Sequence, residues 1–510
     1  MSRRDGAAVA APALLAAILC AIELTGRSLG FDEAASVAIS TQGHATLAQA
    51  IAHDGGNMSG YYLFLHLWTD VFGTGTFAIR LPSVFAIVAA TALVGRLAVV
   101  LFDWRVASAA GVLTAVSMPL VFWGQDARAY APMVMFVVGS FLAYVRIVQS
   151  AQPPTRRAWL GYVAWTSLAL YCGFVAALIL PAQLLALVWR RSVVPAIGSA
   201  IATCAVASVP LMVLAADRGS SQLFWVPHPS LMVEKQTLEL LTSAGLQPSF
   251  HPQPTMWVLI AVTVVIVFAA AGMHVVRAWR PAVAAGDELW GQALVFLWVF
   301  VPIVLAFLES LVATPVFIPR NLLICLPAVA LALALAVTDA RLPKLASCGA
   351  LAALIALRMV SLVPTYGVSP ENWRAATGYV LARAQAGDCV AFYPLDAHMA
   401  FAYYVARAPN GAGAAPRSVL PAIPWTPPKS YAERYVTLTG GAIRAVHRGC
   451  PRLWLVSAHE GQAHGPSPES RFNWAQFVAL RAALERAYKH HARTQFSYAA
   501  TIHIDLLARR

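Results

Sequence analysis

The chain has 510 residues, 59% of them hydrophobic and only 12% charged, with a formal net charge of +13. Soluble domains carry about 25% charged residues, so this composition excludes an ordinary soluble globular protein. The positive balance would fit nucleic acid, but no nucleic-acid motif occurs, and cytoplasmic-loop basic residues beside anionic lipid account for it.

The apolar sequence is concentrated in residues 7–363, as runs of roughly 17–24 residues, the length that crosses a hydrocarbon core as a helix. Spans are expected at 7–24, 79–101, 106–123, 130–148, 158–171, 174–189, 193–214, 255–276, 290–312, 321–338 and 345–363. The first follows Ser2-Arg-Arg-Asp like a signal peptide, but it lacks a small-x-small cleavage site and a lipobox at Cys20, so it reads as an uncleaved span. Tyr61–Phe72 is too short to cross, and its aromatics suit a helix lying in the membrane interface. The 158–189 stretch is short for two spans. A single span would set the Arg156-Arg157 and Arg190-Arg191 pairs on opposite sides, which favours a tight hairpin around Tyr171-Cys-Gly-Phe174.

With the N-terminus cytoplasmic, Arg105, both arginine pairs, Arg277, Arg280, Arg341 and Lys344 fall inside. Arg27, Arg80, Arg128, Arg218, Lys235 and Arg320 fall outside. The expected fold is a polytopic α-helical protein of the cell membrane with eleven spans. Residues 1–363 form its membrane domain and 364–510 an extracytoplasmic α/β domain.

Three short motifs then share the outer face. Asp32 and Glu33 stand together just past the first span, where a carboxylate is costly unless it has a purpose. As first-turn acids they also suit the start of a helix; in an enzyme they are the candidate general base. Gly124-Gln-Asp-Ala-Arg-Ala-Tyr130 carries Arg128, either a side chain reaching to water or a guanidinium that grips phosphate. Phe317-Ile-Pro-Arg-Asn321 places Arg320 at a helix start, where dipole and charge both favour an anion. His53 and Asp54 could bind a metal with Asp32, although their spacing is loose and no cofactor is expected. Asp217–Pro254, with Trp225-Val-Pro-His-Pro229, is long enough for a lid, or equally for plain surface packing.

In the C-terminal region, helices are expected at 373–386, 399–406 and 474–492, and strands at 388–393, 452–457 and 499–507. Residues 409–428 read as a loop. The region carries 16 Lys and Arg against 8 Asp and Glu, a solvated basic surface or a face for anionic groups. Cys389 and Cys450 each precede a strand core and could bridge in an oxidising compartment if those strands are parallel neighbours. The other five cysteines read as small hydrophobes, and His398, His447, His459, His464, His490, His491 and His503 as surface residues.

A resemblance rests on motif order: Gly30-Phe-Asp-Glu-Ala, Tyr61-Tyr-Leu-Phe-Leu-His-Leu-Trp with Phe72-Gly, Ala78-Ile-Arg-Leu-Pro-Ser83, Asp126-Ala-Arg-Ala-Tyr130, Ile318-Pro-Arg-Asn-Leu-Leu and Glu371-Asn-Trp-Arg. Over about residues 1–385 this resembles the GT-C glycosyltransferases of the protein-mannosyltransferase type, family 39 and its bacterial aminoarabinose-transferase relatives. The resemblance implies one sugar transferred with inversion from a polyprenyl-phosphate donor to an extracytoplasmic acceptor (protein, cell-wall glycan or glycolipid). It implies Asp32 as general base, Glu33 as its support, and Arg128, Arg320 and Tyr130 near the donor phosphate. His53, Asp54, Tyr61 and Asp126 are the acceptor-side or supporting candidates. Two departures stand out: His53-Asp-Gly-Gly-Asn-Met-Ser-Gly60 replaces an acid-or-His Pro-Pro signature, and Cys172 stands where relatives carry a His. A flippase or other transporter is the rival class, but no internal repeat is visible and the polar candidates gather at one face. A mere anchor for an outer binding module leaves eleven spans unexplained.

Overall fold

In the computed structural model the apolar runs form helices and the C-terminal region a sheet; the structure describes residues 2–150, 152–219, 223–246, 255–278, 286–421, 432–435, 440–465 and 467–510. The chain divides into two units. One comprises Met1–Leu24, Gly56–Ala215 and Val226–Tyr366; the other Thr25–Gly55, Ala216–Trp225 and Gly367–Arg510.

Among the described residues of the first unit, seven helices are long and apolar enough to cross a membrane: Arg3–Ala21, Thr76–Leu101, Tyr130–Val148, Thr255–Ala278, Asp287–Val312, Pro319–Val337 and Lys344–Gly367. Two bent pairs raise the count to nine if each is one span: Trp104–Ala115 with Met118–Gly124, at 61°, and Arg191–Ala207 with Val209–Arg218, at 47°. Among the described residues, seven to nine of the expected eleven spans thus meet this test of length and composition. Arg156–Cys172 has 17 residues, about 25 Å of helix against a core of about 30 Å, and Phe174–Trp189 is a shorter apolar piece that begins in 3-10 geometry. The chain does break at Gly173, between them.

The first bend has a local cause. Ser117-Met-Pro119 removes a backbone donor, and the buried Arg358 on the helix Lys344–Leu362 donates to the Leu113 carbonyl just before the break. Lipid offers no hydrophobic push between helices, so small residues and polar contacts hold them together. Ser140, Thr166, Gln183, Tyr144 and Tyr162 form a buried hydrogen-bonded set joining the helices Tyr130–Val148, Arg156–Cys172 and Ile179–Ala186. Gly139 lies so close to Trp165 that an added Cβ would sit 2.3 Å from its ring. Gly139→Ala should therefore overpack this contact and cost about 1–3 kcal/mol, read as a lower melting temperature of the detergent-solubilised protein. An unchanged melt would show that the two helices are free to separate there.

The second unit is built on a five-stranded sheet of order β2-β1-β3-β5-β4, with β1 Cys389–Tyr393, β2 Arg417–Leu420, β3 Arg452–Ala458, β4 Tyr488–Ser497 and β5 Thr501–Arg509. β1 is parallel to β2 and β3; β5 is antiparallel to β3 and β4. β1 is wholly buried and β3 nearly so, as a sheet covered on both faces requires. Alternation divides their side chains: Val390, Phe392, Trp454 and Val456 enter one core, and Cys389, Ala391, Leu453 and Leu455 the other. Cys389 and Cys450 form a disulfide in the second core.

The first core also takes in residues far away in sequence. The helix Phe31–Ser40 buries Ala34 there and packs Phe31, Ala35 and Ala38 against it. Where 474–492 reads as one helix, the helix ends at Glu485 and Tyr488 begins β4, an edge strand with exposed and half-buried positions alternating along it. Within 409–428, Arg417–Leu420 is β2, and 422–428 lies outside the described residues, as does Arg280. The 217–254 segment contains a helix, Leu231–Leu241; its positions 220–222 and 247–254 are likewise outside.

Candidate active site

Asp32, Glu33, His53 and Asp54 belong to the second unit; Tyr61, Asp126, Arg128, Tyr130 and Arg320 belong to the first.

In the second unit, Asp32 and Glu33 occupy the first turn of the helix Phe31–Ser40, after Gly30 in extended conformation. An acid there is favoured by the unpaired N–H groups of a helix start. Glu33 is buried and its Oε2 accepts from the Gly30 N–H at 3.4 Å, while Asp32 is half-buried. The approach to this turn is gripped through its main chain. The Ser28 N–H donates to Ser369 Oγ at 2.8 Å, and the Leu29 N–H to the Tyr404 hydroxyl at 2.7 Å. The Arg374 guanidinium donates to the carbonyls of Thr25, Gly26 and Arg27. A Cβ at Gly30 would press on Pro370 at 3.3 Å, so a larger side chain would push this turn off its support.

The last contact comes from Glu371, itself only 3% exposed. Its Oε2 accepts from the Phe31 N–H at 2.8 Å and from the Trp373 indole; its Oε1 meets Nε2 of His459 at 2.6 Å. His459 has a left-handed backbone (φ 52°), a strained conformation that tends to collect at functional sites. Its ring stands edge-on to Phe31, centroids 5.7 Å apart. Desolvation opposes the His459 cation. The hydrogen bond and charge of Glu371, with the charges of Glu469 and Asp32, outweigh it, and the imidazole is raised above its ordinary value. His459 is therefore not an incidental surface histidine, and neither it nor Glu371 stands out as a site residue in the sequence. His53 ends the helix His44–His53, and the carbonyl of Asp54 accepts from Arg218 at 2.6 Å. Among the described residues no three His, Cys, Asp or Glu side chains are arranged to hold a metal, so Asp32, His53 and Asp54 do not come together as a ligand set.

In the first unit, Arg128 is 8% exposed and lies between aromatic groups. Its Nη1 reaches the Tyr62 hydroxyl at 3.5 Å, and its guanidinium stands 5.9 Å from the Tyr130 ring centroid. Tyr61 and Tyr62 are buried on the helix Ser59–Phe72. The Asp126 carbonyl fixes the loop by accepting from Ser83 Oγ at 2.7 Å and from the Arg128 N–H at 2.8 Å. Gln125 ties the same loop to the carbonyls of Cys20 and Ile22. Arg320 is half-buried in the 3-10 segment Pro319–Cys325, which packs against the helix Tyr130–Val148. A buried guanidinium among hydroxyls and aromatic faces is suited to a phosphate.

Residues 59–215 match the family model for dolichyl-phosphate-mannose-protein mannosyltransferase, a segment that includes Tyr61, Asp126, Arg128 and Tyr130. No curated protein sequence matches the chain. Its fold is similar to two solved structures of the Archaeoglobus fulgidus oligosaccharyltransferase. One is tethered with an acceptor peptide containing the NVT sequon (TM-score 0.52, 10% identity, 97% of this chain and 74% of that one). The other, AglB, is in complex with an inhibitory peptide and a dolichol-phosphate (TM-score 0.56, 12% identity, 97% and 74%). ArnT from Cupriavidus metallidurans in the apo state aligns at 13% identity over 96% of both chains, with a TM-score of 0.46. The chain is a polytopic helical membrane protein whose fold is similar to that of the Archaeoglobus fulgidus oligosaccharyltransferase, and its residues 59–215 match the dolichyl-phosphate-mannose-protein mannosyltransferase family model.

Proposed function

We propose that the protein is a membrane glycosyltransferase that moves one sugar from a polyprenyl-phosphate donor to an acceptor on the extracytoplasmic side, with inversion. Arg128 carries this reading: a buried guanidinium flanked by Tyr62 and Tyr130, inside the segment that matches a family named for a dolichyl-phosphate-mannose donor. The dolichol-phosphate in the AglB complex supports a lipid-phosphate ligand for this fold, and the tethered acceptor peptide supports a peptide acceptor.

The chemistry follows from the residues. The Asp32 carboxylate takes the proton from the acceptor hydroxyl or amine. The acceptor atom bonds to the sugar's anomeric carbon from the face opposite the phosphate, and the bond from that carbon to the phosphate oxygen breaks. Polyprenyl monophosphate leaves with the bonding pair. Its developing charge is met by Arg128 and Arg320, with Tyr130 holding Arg128 in place. Glu33 supports Asp32, and Tyr61, His53, Asp54 and Asp126 are assigned to the acceptor side or to shaping the loops. We assign 1–363 as the membrane catalytic domain and 364–510 as the extracytoplasmic domain, with the N-terminus cytoplasmic. The disulfide in the second unit supports that orientation, because such bonds persist in oxidising compartments.

The test is transfer itself. Full-length protein in lipid nanodiscs is given radiolabelled polyprenyl-phosphate mannose and a panel of other polyprenyl-phosphate sugars, with peptide and membrane-extract acceptors. Label should move covalently to an acceptor, releasing one lipid monophosphate per sugar. Arg128→Ala should lower kcat/KM by about 10²–10³-fold, the loss typical of one transition-state charge donor. Passage of intact lipid-linked sugar across sealed vesicles, with no covalent product, would instead make the protein a transporter.

A further inference from the structure

Building on Asp32 as the base, we propose that Glu371 and His459 form a positioning pair that ties the first turn carrying Asp32 to the protonation state of His459. The contact chain is short. One carboxylate oxygen of Glu371 receives the N–H of Phe31, the residue before Asp32; the other receives the His459 ring. Phe31 touches both partners, Glu371 by its N–H and His459 by a T-shaped ring contact. The Trp373 indole fills the remaining capacity of Oε2, so Glu371 is held at both ends in a buried setting.

The pairing works as a charge device because Glu371 is buried. An ionised carboxylate there needs its donors, and a cationic His459 is the strongest of them. The groups facing His459 are acidic: Glu371 at its Nε2, Glu469 from the helix Pro468–Glu485, and Asp32 from the helix Phe31–Ser40. Its chain neighbour Glu460 is turned away, onto Ser457, His503 and Arg493. The His459 cation persists at pH values above the ordinary histidine range and is lost as pH rises through its raised pKa. Loss of the proton removes charge from the Glu371 contact and loosens the hold on the Phe31 N–H. Transfer should therefore show an alkaline limb set by His459, through kcat and not through donor affinity.

Two measurements on the full-length protein decide this. In the first, histidines are labelled with carbon-13, the His459 signal is assigned by its disappearance in His459→Gln, and it is followed against pH. Its midpoint should lie above the ordinary imidazole value and fall in both Glu371→Gln and Asp32→Asn. An unmoved midpoint in either variant overturns the proposal, and this measurement requires no turnover. The second is transfer of polyprenyl-phosphate mannose, or of whichever panel sugar the wild type uses. Glu371→Gln should lower kcat on the order of 10- to 100-fold, with KM for the donor unchanged, and move the alkaline limb to lower pH. His459→Gln, a change at an exposed side chain, should remove that limb. An alkaline limb that survives His459→Gln, or a change confined to KM, overturns the proposal. If the wild type transfers no sugar while the histidine midpoint moves as expected, the glycosyltransferase reading fails and the positioning pair stands.

Discussion

Asp32→Asn should lower sugar transfer by about 10²–10⁴-fold, the usual contribution of a positioned general base, while polyprenyl-phosphate binding stays within about twofold. The substitution keeps the side chain's shape and removes its ability to take a proton. In free-energy terms the loss is roughly 3–5 kcal/mol of transition-state stabilisation, at about 1.4 kcal/mol for each factor of ten. Folding should be nearly untouched, because the segment is held through other groups. Leu29 is bound by its N–H, Thr25 through Arg27 by their carbonyls, and Phe31 by its N–H on Glu371. Single-turnover transfer, donor binding and the melting temperature, measured on one preparation, separate the chemical role from a structural one. A variant that transfers at the wild-type rate would move the base to another residue. Glu33→Gln should be much milder, since an amide oxygen can still accept from the Gly30 N–H.

The carboxylates were visible in the sequence because charges at a membrane boundary are expensive and rare. Arg128 was visible for the same reason. The structure adds the grip on Asp32, and it was hidden for a physical reason. That grip consists largely of main-chain N–H and C=O groups of residues 25–31, which leave no mark in a sequence. Their partners at Ser369, Glu371, Arg374 and Tyr404 lie more than 300 positions downstream, and His459 joins through Glu371. Glu371 and Arg374 appear in a motif but announce no role, and His459 has no ligand-like spacing to mark it. Residues 158–189 form two apolar helices that break at Gly173, and the first, Arg156–Cys172, lies at the short end of the spanning range. The central strands β1 and β3 were legible as short apolar runs. β4 was not, because Lys489-His-His-Ala-Arg493 continues the charged character of the preceding helix, and only pairing with β5 makes it a strand.

Replacing both Cys389 and Cys450 by alanine should destabilise the second unit by about 4 kcal/mol, the loop-closure value for a sequence separation of 61. The bond joins the start of β1 to Cys450, two positions before β3 begins at Arg452, so it ties together the sheet end at which two parallel strands start. Parallel neighbours cannot be joined by a tight turn, and the chain between them includes the helix Ala397–Val405 and β2. Constraining that excursion in the unfolded chain is what the cross-link contributes. For a unit of this size, 4 kcal/mol corresponds to a fall of roughly 8–16 °C in melting temperature. Thermal melts of the oxidised wild type, the reduced wild type and the double variant give the comparison, with intact mass under both redox conditions confirming the bond. Reduced wild type and double variant should melt together, below the oxidised protein. If all three melt alike, β1 and β3 are held by their ladder and the two cores alone. If the double variant also loses transfer in step with its stability, the link between β1 and β3 extends to the core face on which Ala34 and the Asp32 turn are seated.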